Sequence, residues 1–386
     1  MSARTRTRIF LAGLALSLLP AWAGAEVALP SAGVPVPSVR PNAYAPEMDS
    51  TPNGALKALT DRLRNSVATP GDVQRLKDGL DALSKGDIAG ALRTRDAFPA
   101  DALDRQILSW AIALNGGDIS SEEIASAAKD LSGWPGKAAL QRNAERALYK
   151  EKAAAETVIA ALGGTQPRTM EGVVALARAH LAAGNRQAAH AVVSPFWQKE
   201  KLEAKEEALI LREFGGVLTA ADHRARMEQM LHYERVNSAL RVAERAGAEQ
   251  LAKAWGAVIR KEKNAGKLLD AVPKAQRGAG YIFAKARHLR WAKKDREAAT
   301  IMLQAPTDTA SLVDPDAWWV ERRVLSRELL DLGDVKTAYT LAAAHAAESP
   351  ALAVDAEFHA GWYALRGLRD AKVAARHFER IAEIAE

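Results

Sequence analysis

The eight histidines are the residues of this sequence with the widest chemical range, and their spacing argues against a metal site. A zinc site carried by one helix needs two histidines four residues apart, as in the H-E-x-x-H motif. No two of these histidines have that spacing. We therefore expect no metal and no cofactor, with the histidines solvated or hydrogen-bonded. They are His180, His190, His223, His232, His288, His345, His359 and His377.

Motifs for nucleophilic and phosphate chemistry are incomplete. The sequence has no G-x-S-x-G and no glycine-rich fingerprint behind a strand pattern. The segment LSGWPGKAAL resembles a phosphate-binding loop, but Ala138 stands where a magnesium-binding hydroxyl is required. No catalytic residue is predicted from these motifs.

Carboxylates are abundant, and an enzyme acting on sugars needs at least one with a raised pKa in a cleft. The neighbouring pairs Glu122-Glu123 and Glu206-Glu207 lie among polar residues. We therefore expect both pairs on exposed helix faces.

Tryptophan offers a different kind of contact, since an indole face can stack on a sugar ring. Most tryptophans are expected in the core. Successive helical residues are about 100° apart, so one of Trp318 and Trp319 should point away from the helix-packing face. The sequence therefore predicts that Trp318 or Trp319 is an exposed candidate for glycan contact.

The stretch AEFHAGWYALRGLRD, residues 356–370, mixes small and bulky side chains. The small ones are Ala360, Gly361 and Ala364, and the bulky ones are Phe358, Trp362 and Leu365. We expect a joint between helices, where the small residues permit close approach and the bulky ones fill the space around it. An active site is the alternative.

A recurring phrase predicts the elements around these residues: an Asp or Asn followed four residues later by alanine. The copies are Asp87/Ala91, Asn185/Ala189, Asp295/Ala299, Asp334/Ala338 and Asp370/Ala374. Asp or Asn at an N-cap accepts a hydrogen bond from a free amide, and alanine on the next turn lets a neighbouring helix approach.

The spacing of the phrase gives a repeat. The last three copies are 39 and 36 residues apart, a length that holds two helices. Such units must stack to bury their faces. The sequence therefore predicts an all-α, right-handed α-superhelix (solenoid) of degenerate tetratricopeptide-like helical pairs over residues 54–386.

Composition agrees with a large helical protein. The chain has 386 residues, 48% of them hydrophobic and only 6% aromatic, with no cysteine for disulfides or thiol chemistry. Residues 26–53 contain six prolines, which predicts an extended linker or arm. This segment is a tether or, alternatively, a docking strand.

Residues 1–25 have the pattern of a cleavable signal peptide. Arg4, Arg6 and Arg8 precede a short apolar run, and Ala23-Gly24-Ala25 offers a cleavage site. We expect export to the periplasm, with an uncleaved anchor helix as the alternative and no membrane span afterwards. Loss of the three arginines lowers the net charge from +6 to +3, too little to indicate a nucleic-acid partner.

Two phrases near the C-terminus resemble a known family. They are DPDAWWVERRVLSRELLDLGDVKTAYTLAAAH, residues 314–345, and AEFHAGWYALRGLRDAKVAARHFERI, residues 356–381. Their W-W-x-E-R-R, L-L-D-x-G-D and E-F-H-A-G-W elements are similar to the superhelical N-terminal domain of soluble lytic murein transglycosylases. The likeness covers residues 276–386 and is weak before them.

The resemblance implies that the superhelix and the catalytic centre belong to separate domains. In that family the superhelix bends into a U, a further helical linker closes a ring, and a lysozyme-like domain on the ring does the chemistry. Its glutamate protonates the glycosidic oxygen of peptidoglycan, and the muramyl 6-hydroxyl attacks to give a 1,6-anhydro product. The implied partners are peptidoglycan glycan strands and the catalytic domain.

The family's catalytic motif is a Glu-Ser pair in an apolar helix, followed by a G-L-M-Q-like stretch. Glu348-Ser349 is the tempting match, but Pro350 follows at once and no such stretch comes after it. We expect this pair at a helix end between two repeats. The chain also stops in FERIAEIAE without a helix stop signal, so we expect a truncated protein whose catalytic domain is absent.

A second hypothesis belongs to another class: a stand-alone periplasmic tetratricopeptide-like scaffold that binds a protein in its groove. It predicts a natural stop codon soon after Glu386. The first hypothesis predicts several hundred further codons, including the catalytic motif.

Overall fold

Residues 70–385, the part of the chain described by this computed structural model, are built from α-helices with short 3₁₀ and π segments and contain no strand. The predicted all-α class is confirmed. The expected signal peptide (1–25), the proline-rich linker (26–53) and residues 54–69 lie outside the described residues. Within residues 70–385, no helix is both long and apolar enough to cross a membrane.

Nineteen α-helices follow one another in the described part of the chain. They are α1 (Pro70–Ser84), α2 (Ile88–Asp96), α3 (Leu103–Asn115), α4 (Ser121–Asp130), α5 (Lys137–Glu151), α6 (Ala155–Leu162), α7 (Met170–Ala182), α8 (Arg186–Lys199), α9 (Ala204–Phe214), α10 (Ala220–His232), α11 (Val236–Val242), α12 (Glu249–Ile259), α13 (Ala265–Asp270), α14 (Ala279–Trp291), α15 (Asp295–Met302), α16 (Pro315–Asp331), α17 (Val335–Ala343), α18 (Pro350–Trp362) and α19 (Ala371–Ala385). A π segment, Tyr363–Leu368, continues α18.

The turns inside the helical pairs share a left-handed residue. Seven such residues have φ between 55° and 78°; six stand directly before the cap of the next helix, and Lys261 stands three residues before its cap, Asn264. Glycine takes this conformation without strain, but a lysine, glutamate or arginine occupies four of the seven turns. They are Gly86, Gly184, Glu234, Lys261, Lys293, Gly333 and Arg369.

Four of the five predicted caps are confirmed. The side chains of Asp87, Asn185, Asp334 and Asp370 each accept a hydrogen bond from the amide three residues later, over 2.8–3.2 Å. The paired alanines, Ala91, Ala189, Ala338 and Ala374, are buried. The phrase therefore does what its chemistry predicts: it starts a helix and opens space for a neighbour.

The fifth predicted cap, Asp295, is wrong. The left-handed residue Lys293 shifts the helix start by one, so Lys294 is the N-cap and Asp295 is the first helical residue. Asp295 is buried and its Oδ1 has no hydrogen-bond partner. Ala298 and Ala299 are both buried against the neighbouring helices.

Helices contact their neighbours in sequence. Within residues 70–385, the extensive helix–helix contacts join helices that are adjacent or two apart along the chain. Buried apolar residues form one cluster from Ala91 to Ala147 and a larger one from Leu148 to Tyr363. Trp197 and Trp255 are fully buried in the larger cluster.

The expectation that Glu206-Glu207 is an exposed pair is wrong for Glu207. Its carboxylate is buried and accepts a hydrogen bond from Arg226 at 2.7 Å and another from Arg241. Arg226 is itself fully buried on α10. The polar sequence around Glu207 hid this pair because its partners lie 19 and 34 residues further along the chain.

The joint predicted for residues 356–370 is confirmed for the small residues only. Ala360, Gly361 and Ala364 are buried, and a Cβ built on Gly361 would lie 2.6 Å from Cε1 of Phe378 on α19. The bulky residues are not buried in the joint: Phe358, Trp362 and Leu365 are 49%, 47% and 39% exposed. Phe358 lies at its edge, with its ring centre 6.3 Å from that of Phe378.

Gly361→Ala is expected to lower the free energy of unfolding by about 1–2 kcal/mol, because the new methyl group forces Phe378 to move. Alanine is the better helix former by about 1 kcal/mol, so a gain in stability would contradict the close approach. Urea unfolding followed by circular dichroism measures the change. In a Phe378→Leu background the cost should shrink, because the clashing ring is gone.

Candidate functional site

Trp318 and Trp319 are 1% and 0% exposed, so the prediction that one of them is exposed is wrong. Trp318 packs edge-on against Phe283 of α14, and Trp319 packs against His345 and His359. Helix α16 is covered on both sides by neighbouring pairs, so a 100° turn between the two indoles exposes neither. Neither tryptophan can stack on a glycan at the surface.

Trp319 belongs to a polar joint between α16 and α18. Its Nε1 donates to Asp355 Oδ2 at 2.9 Å, and Arg323 donates to the same oxygen at 2.8 Å. His359 hydrogen-bonds the Asp355 carbonyl at 2.7 Å, and its Nε2 lies 2.8 Å from Arg327. Burial alone would raise the pKa of Asp355, but these donors lower it.

Glu357 is the centre of a second buried polar group, shared by α18, α19 and the loop between α17 and α18. Its carboxylate contacts His345 Nε2 at 3.2 Å, His377 Nδ1 at 2.5 Å and Arg380 Nε at 2.8 Å. Burial raises the pKa of Glu357, but the hydrogen bonds from His345, His377 and Arg380 outweigh it and lower the pKa to about 2. This carboxylate is held ionised and is unsuited to act as a general acid.

Acidification is expected to weaken this joint in a defined pH range. The pKa of Glu357 is depressed in the folded state, from 4.5 to about 2. Its contribution, about 3 kcal/mol, is therefore complete above pH 4.5 and is lost as the pH falls through 2. About 2 kcal/mol of it should disappear between pH 6 and pH 3.

Urea unfolding of wild type and Glu357→Gln at the two pH values tests this expectation. The variant lacks the titrating group, so its free energy of unfolding should fall less between pH 6 and pH 3 than that of wild type. Acid-sensitive groups that do not contact Glu357 are the same in both proteins and cancel in the comparison. Equal slopes would show that Glu357 does not couple folding to pH.

A cleft forms where the loop between α15 and α16 meets α8 and α10. We call it the loop cleft; its volume is about 270 Å³. It brings together segments far apart in sequence, since Gln229 on α10 donates to Asp314, 85 residues away, over 3.1 Å. The lining residues are Gln198, Lys199, Ala225, Gln229, Thr309, Ala310, Ser311, Leu312, Val313, Pro315 and Glu348.

The loop cleft differs from two larger grooves in how its charges are paired. Grooves of about 470 and 480 Å³ are lined by ion pairs such as Arg235–Glu203 and Lys285–Asp270. In the loop cleft, Lys199 and Glu348 have no ion-pair partner among the described residues. These two opposite charges are free to meet a ligand.

Glu348-Ser349, the tempting catalytic pair, lies at the start of α18 as expected. Ser349 is the N-cap and Pro350 is the first helical residue. The backbone amides of Glu348 and Ser349 donate to Asp316 Oδ1 at 2.9 and 3.1 Å. The Glu348 side chain is exposed at the rim of the loop cleft. It therefore lacks the apolar, enclosed surroundings of a catalytic acid.

The residues 356–368 present an exposed apolar stripe, which we define as Phe358, Trp362, Leu365 and Leu368. The rings of Phe358 and Trp362 are stacked, with centroids 6.3 Å apart and planes 16° from parallel. The guanidinium of Arg366 lies 5.6 Å from the Trp362 ring centre. Contiguous exposed apolar surface of this kind marks contact sites more often than free surface.

Within residues 70–385, no three His, Cys, Asp or Glu side chains are grouped so as to hold a metal ion. Comparison with protein-family models, with curated proteins and with solved structures found no match. Sequence reasoning missed the loop cleft, because Gln229 and Asp314 carry no local signal of their contact. It could have found the apolar stripe, whose members are spaced four, three and three residues apart.

Proposed function

We propose that this chain is the N-terminal superhelical scaffold of a periplasmic soluble lytic murein transglycosylase. In this proposal the helical pairs form a right-handed superhelix that holds a peptidoglycan glycan strand or positions a catalytic domain. The cleavage that leaves 1,6-anhydro ends is done by that domain, outside these residues. The exported location follows from the signal-peptide pattern of residues 1–25.

One observation carries the proposal. The two phrases that resemble the family meet in the buried joints around Asp355 and Glu357, through Trp319 and His345 of the first phrase and His377 of the second. Residues that hold helical pairs together are what a scaffold needs. A catalytic centre would instead require an accessible group with a pKa near the working pH.

The superhelix itself is supported by the order of the helix contacts. Neighbouring pairs stack in sequence, the pairs turn through left-handed residues, and small residues line the joints. Solenoids have this nearest-neighbour organisation. A small-angle scattering profile of an extended, curved particle is expected; a compact sphere would contradict the superhelical part of the proposal.

Sedimentation with protein-free peptidoglycan sacculi tests the binding role. We expect the full chain to pellet with sacculi and to be released by soluble glycan fragments. We also expect no anhydro-muropeptides in the supernatant of the purified chain. Failure to pellet would refute glycan binding, and release of anhydro-muropeptides would refute the assignment of the chemistry to another domain.

The apolar stripe favours the second candidate function, a stand-alone scaffold that binds a protein. Stacked Phe358 and Trp362 offer a flat apolar surface of the kind found at interface hot spots. A photo-crosslinking residue at Leu365 should then capture a periplasmic protein, and Trp362→Ser should abolish the crosslink. Under this alternative, protein-free sacculi would not retain the chain.

A further inference from the structure

We propose that the loop cleft binds one ring of a saccharide that carries a carboxylate, such as a muramyl residue. This inference rests on the proposed function and assigns the glycan contact to a site that the tryptophans do not provide. The cleft has polar groups of both charges and an apolar wall. Its volume of about 270 Å³ suits a single ring, since pockets for drug-sized ligands are usually about 300–1,000 Å³.

Gln229 supplies an oriented acceptor. The residue is only 5% exposed, and its Nε2 must face the Asp314 carboxylate, to which it donates. The amide carbonyl oxygen therefore points the other way, and it has no donor among the described residues. This oxygen is not fully enclosed by protein. Because Gln229 lines the cleft, we infer that the oxygen is open to it. An acceptor of this kind selects a ligand N–H or O–H.

Asp314 fixes this geometry from the other side. Its Oδ1 caps α16 by accepting the amide of Ala317 at 2.9 Å, while its Oδ2 holds Gln229. Because the cap locks the carboxylate, the Gln229 carbonyl is held in place before a ligand arrives. Preorganised polar groups lose less entropy on binding.

Lys199 and Glu348 define the charge of the ligand. The two side chains line one cleft but do not pair with each other, so each is available to a different group of the ligand. The ammonium of Lys199 suits a carboxylate, and the carboxylate of Glu348 suits hydroxyl or amide N–H donors. A neutral sugar would satisfy only the second of these.

The apolar part of the lining suits the face of a sugar ring. It comes from Leu312 and Val313 of the loop, Pro315 at the start of α16 and Ala225 of α10. Thr309 adds an exposed hydroxyl at the rim. Most of the remaining lining is polar, which suits a ligand with several hydroxyl groups.

Titration of the full chain with N-acetylmuramic acid and with N-acetylglucosamine, followed by calorimetry, tests the inference. We expect Lys199→Ala to weaken binding of N-acetylmuramic acid about tenfold and to leave N-acetylglucosamine binding unchanged. Gln229→Leu should weaken both sugars about five- to tenfold. Lys205→Ala, an exposed lysine on α9 that does not line the cleft, is the matched control.

Circular dichroism checks that Gln229→Leu still folds, and Thr309→Val replaces it as the second variant if it does not. Equal affinity of wild type and Lys199→Ala for N-acetylmuramic acid would overturn the site, even if the wild-type chain pellets with sacculi. An unretained wild-type chain would instead refute the glycan-binding part of the proposed function, on which this inference rests. A stronger effect of Lys205→Ala than of Lys199→Ala would also overturn the site.

Discussion

Trp319→Ala is expected to lower the free energy of unfolding by about 3–5 kcal/mol, the range for truncating a fully buried aromatic side chain. The indole is 0% exposed and packs against His345 and His359, so alanine leaves a cavity between helical pairs. It also removes the donor to Asp355 at 2.9 Å, which leaves that carboxylate with fewer partners. Urea unfolding followed by circular dichroism measures the loss.

Trp362→Ala provides the matched control for this prediction. Trp362 is 47% exposed and stacks only on Phe358 and Arg366, so its truncation should cost less than about 1 kcal/mol. The two tryptophans lie in neighbouring helical pairs, which makes the comparison local. Equal losses for the two variants would mean that Trp319 is not part of a packed joint.

Local signals predicted the helix starts well. Asp or Asn at an N-cap acts on amides within three residues, so the sequence alone specifies the cap at Asp87, Asn185, Asp334 and Asp370. The exception has a local cause as well. The left-handed conformation falls on Lys293, a residue type with no preference for it, so nothing in the sequence separated Lys294 from Asp295 as the cap.

Side-chain exposure depended on which helices flank a given helix, and the sequence does not state this. Trp318 and Trp319 were expected on different faces, and they are, but both faces of α16 are covered. The reverse holds for Phe358 and Trp362, whose face has no covering helix in the described residues. A periodic pattern gives the direction of a side chain, and only packing gives its environment.

The loop cleft was beyond sequence reasoning for a different reason. Its segments are joined by a hydrogen bond between Gln229 and Asp314, which are 85 residues apart. The pattern of helical pairs instead predicts contacts between helices that are close along the chain. Asp314 also caps the start of α16 through its Oδ1. The second role of that carboxylate appears only when α10 is placed beside the loop.

Arg226→Met is expected to lower the free energy of unfolding by about 3 kcal/mol, since it removes the buried partner of Glu207 and leaves that carboxylate with the half-exposed Arg241 as its one counter-charge among the described residues. Arg226 is fully buried, donates to Glu207 at 2.7 Å and to the Glu200 carbonyl at 2.9 Å, and lies 4.3 Å from the Trp197 ring centre. Burial lowers the pKa of Arg226, and Glu207 opposes this shift.

The double variant Arg226→Met/Glu207→Leu separates charge from packing. If the cost of Arg226→Met comes from the Glu207 carboxylate that has lost its buried partner, replacing Glu207 as well should recover much of the lost stability. Two apolar side chains can fill the same space. Arg178→Met is the matched control: Arg178 pairs with Glu213 at 2.7 Å at the surface and should cost less than about 1 kcal/mol. A loss for Arg226→Met no larger than for Arg178→Met would mean that water reaches the Glu207 pair. The molecule thus uses two kinds of joint, one built around the packed indole of Trp319 and one around the ion pair of Glu207, and only the ionic one should be restored by a second substitution.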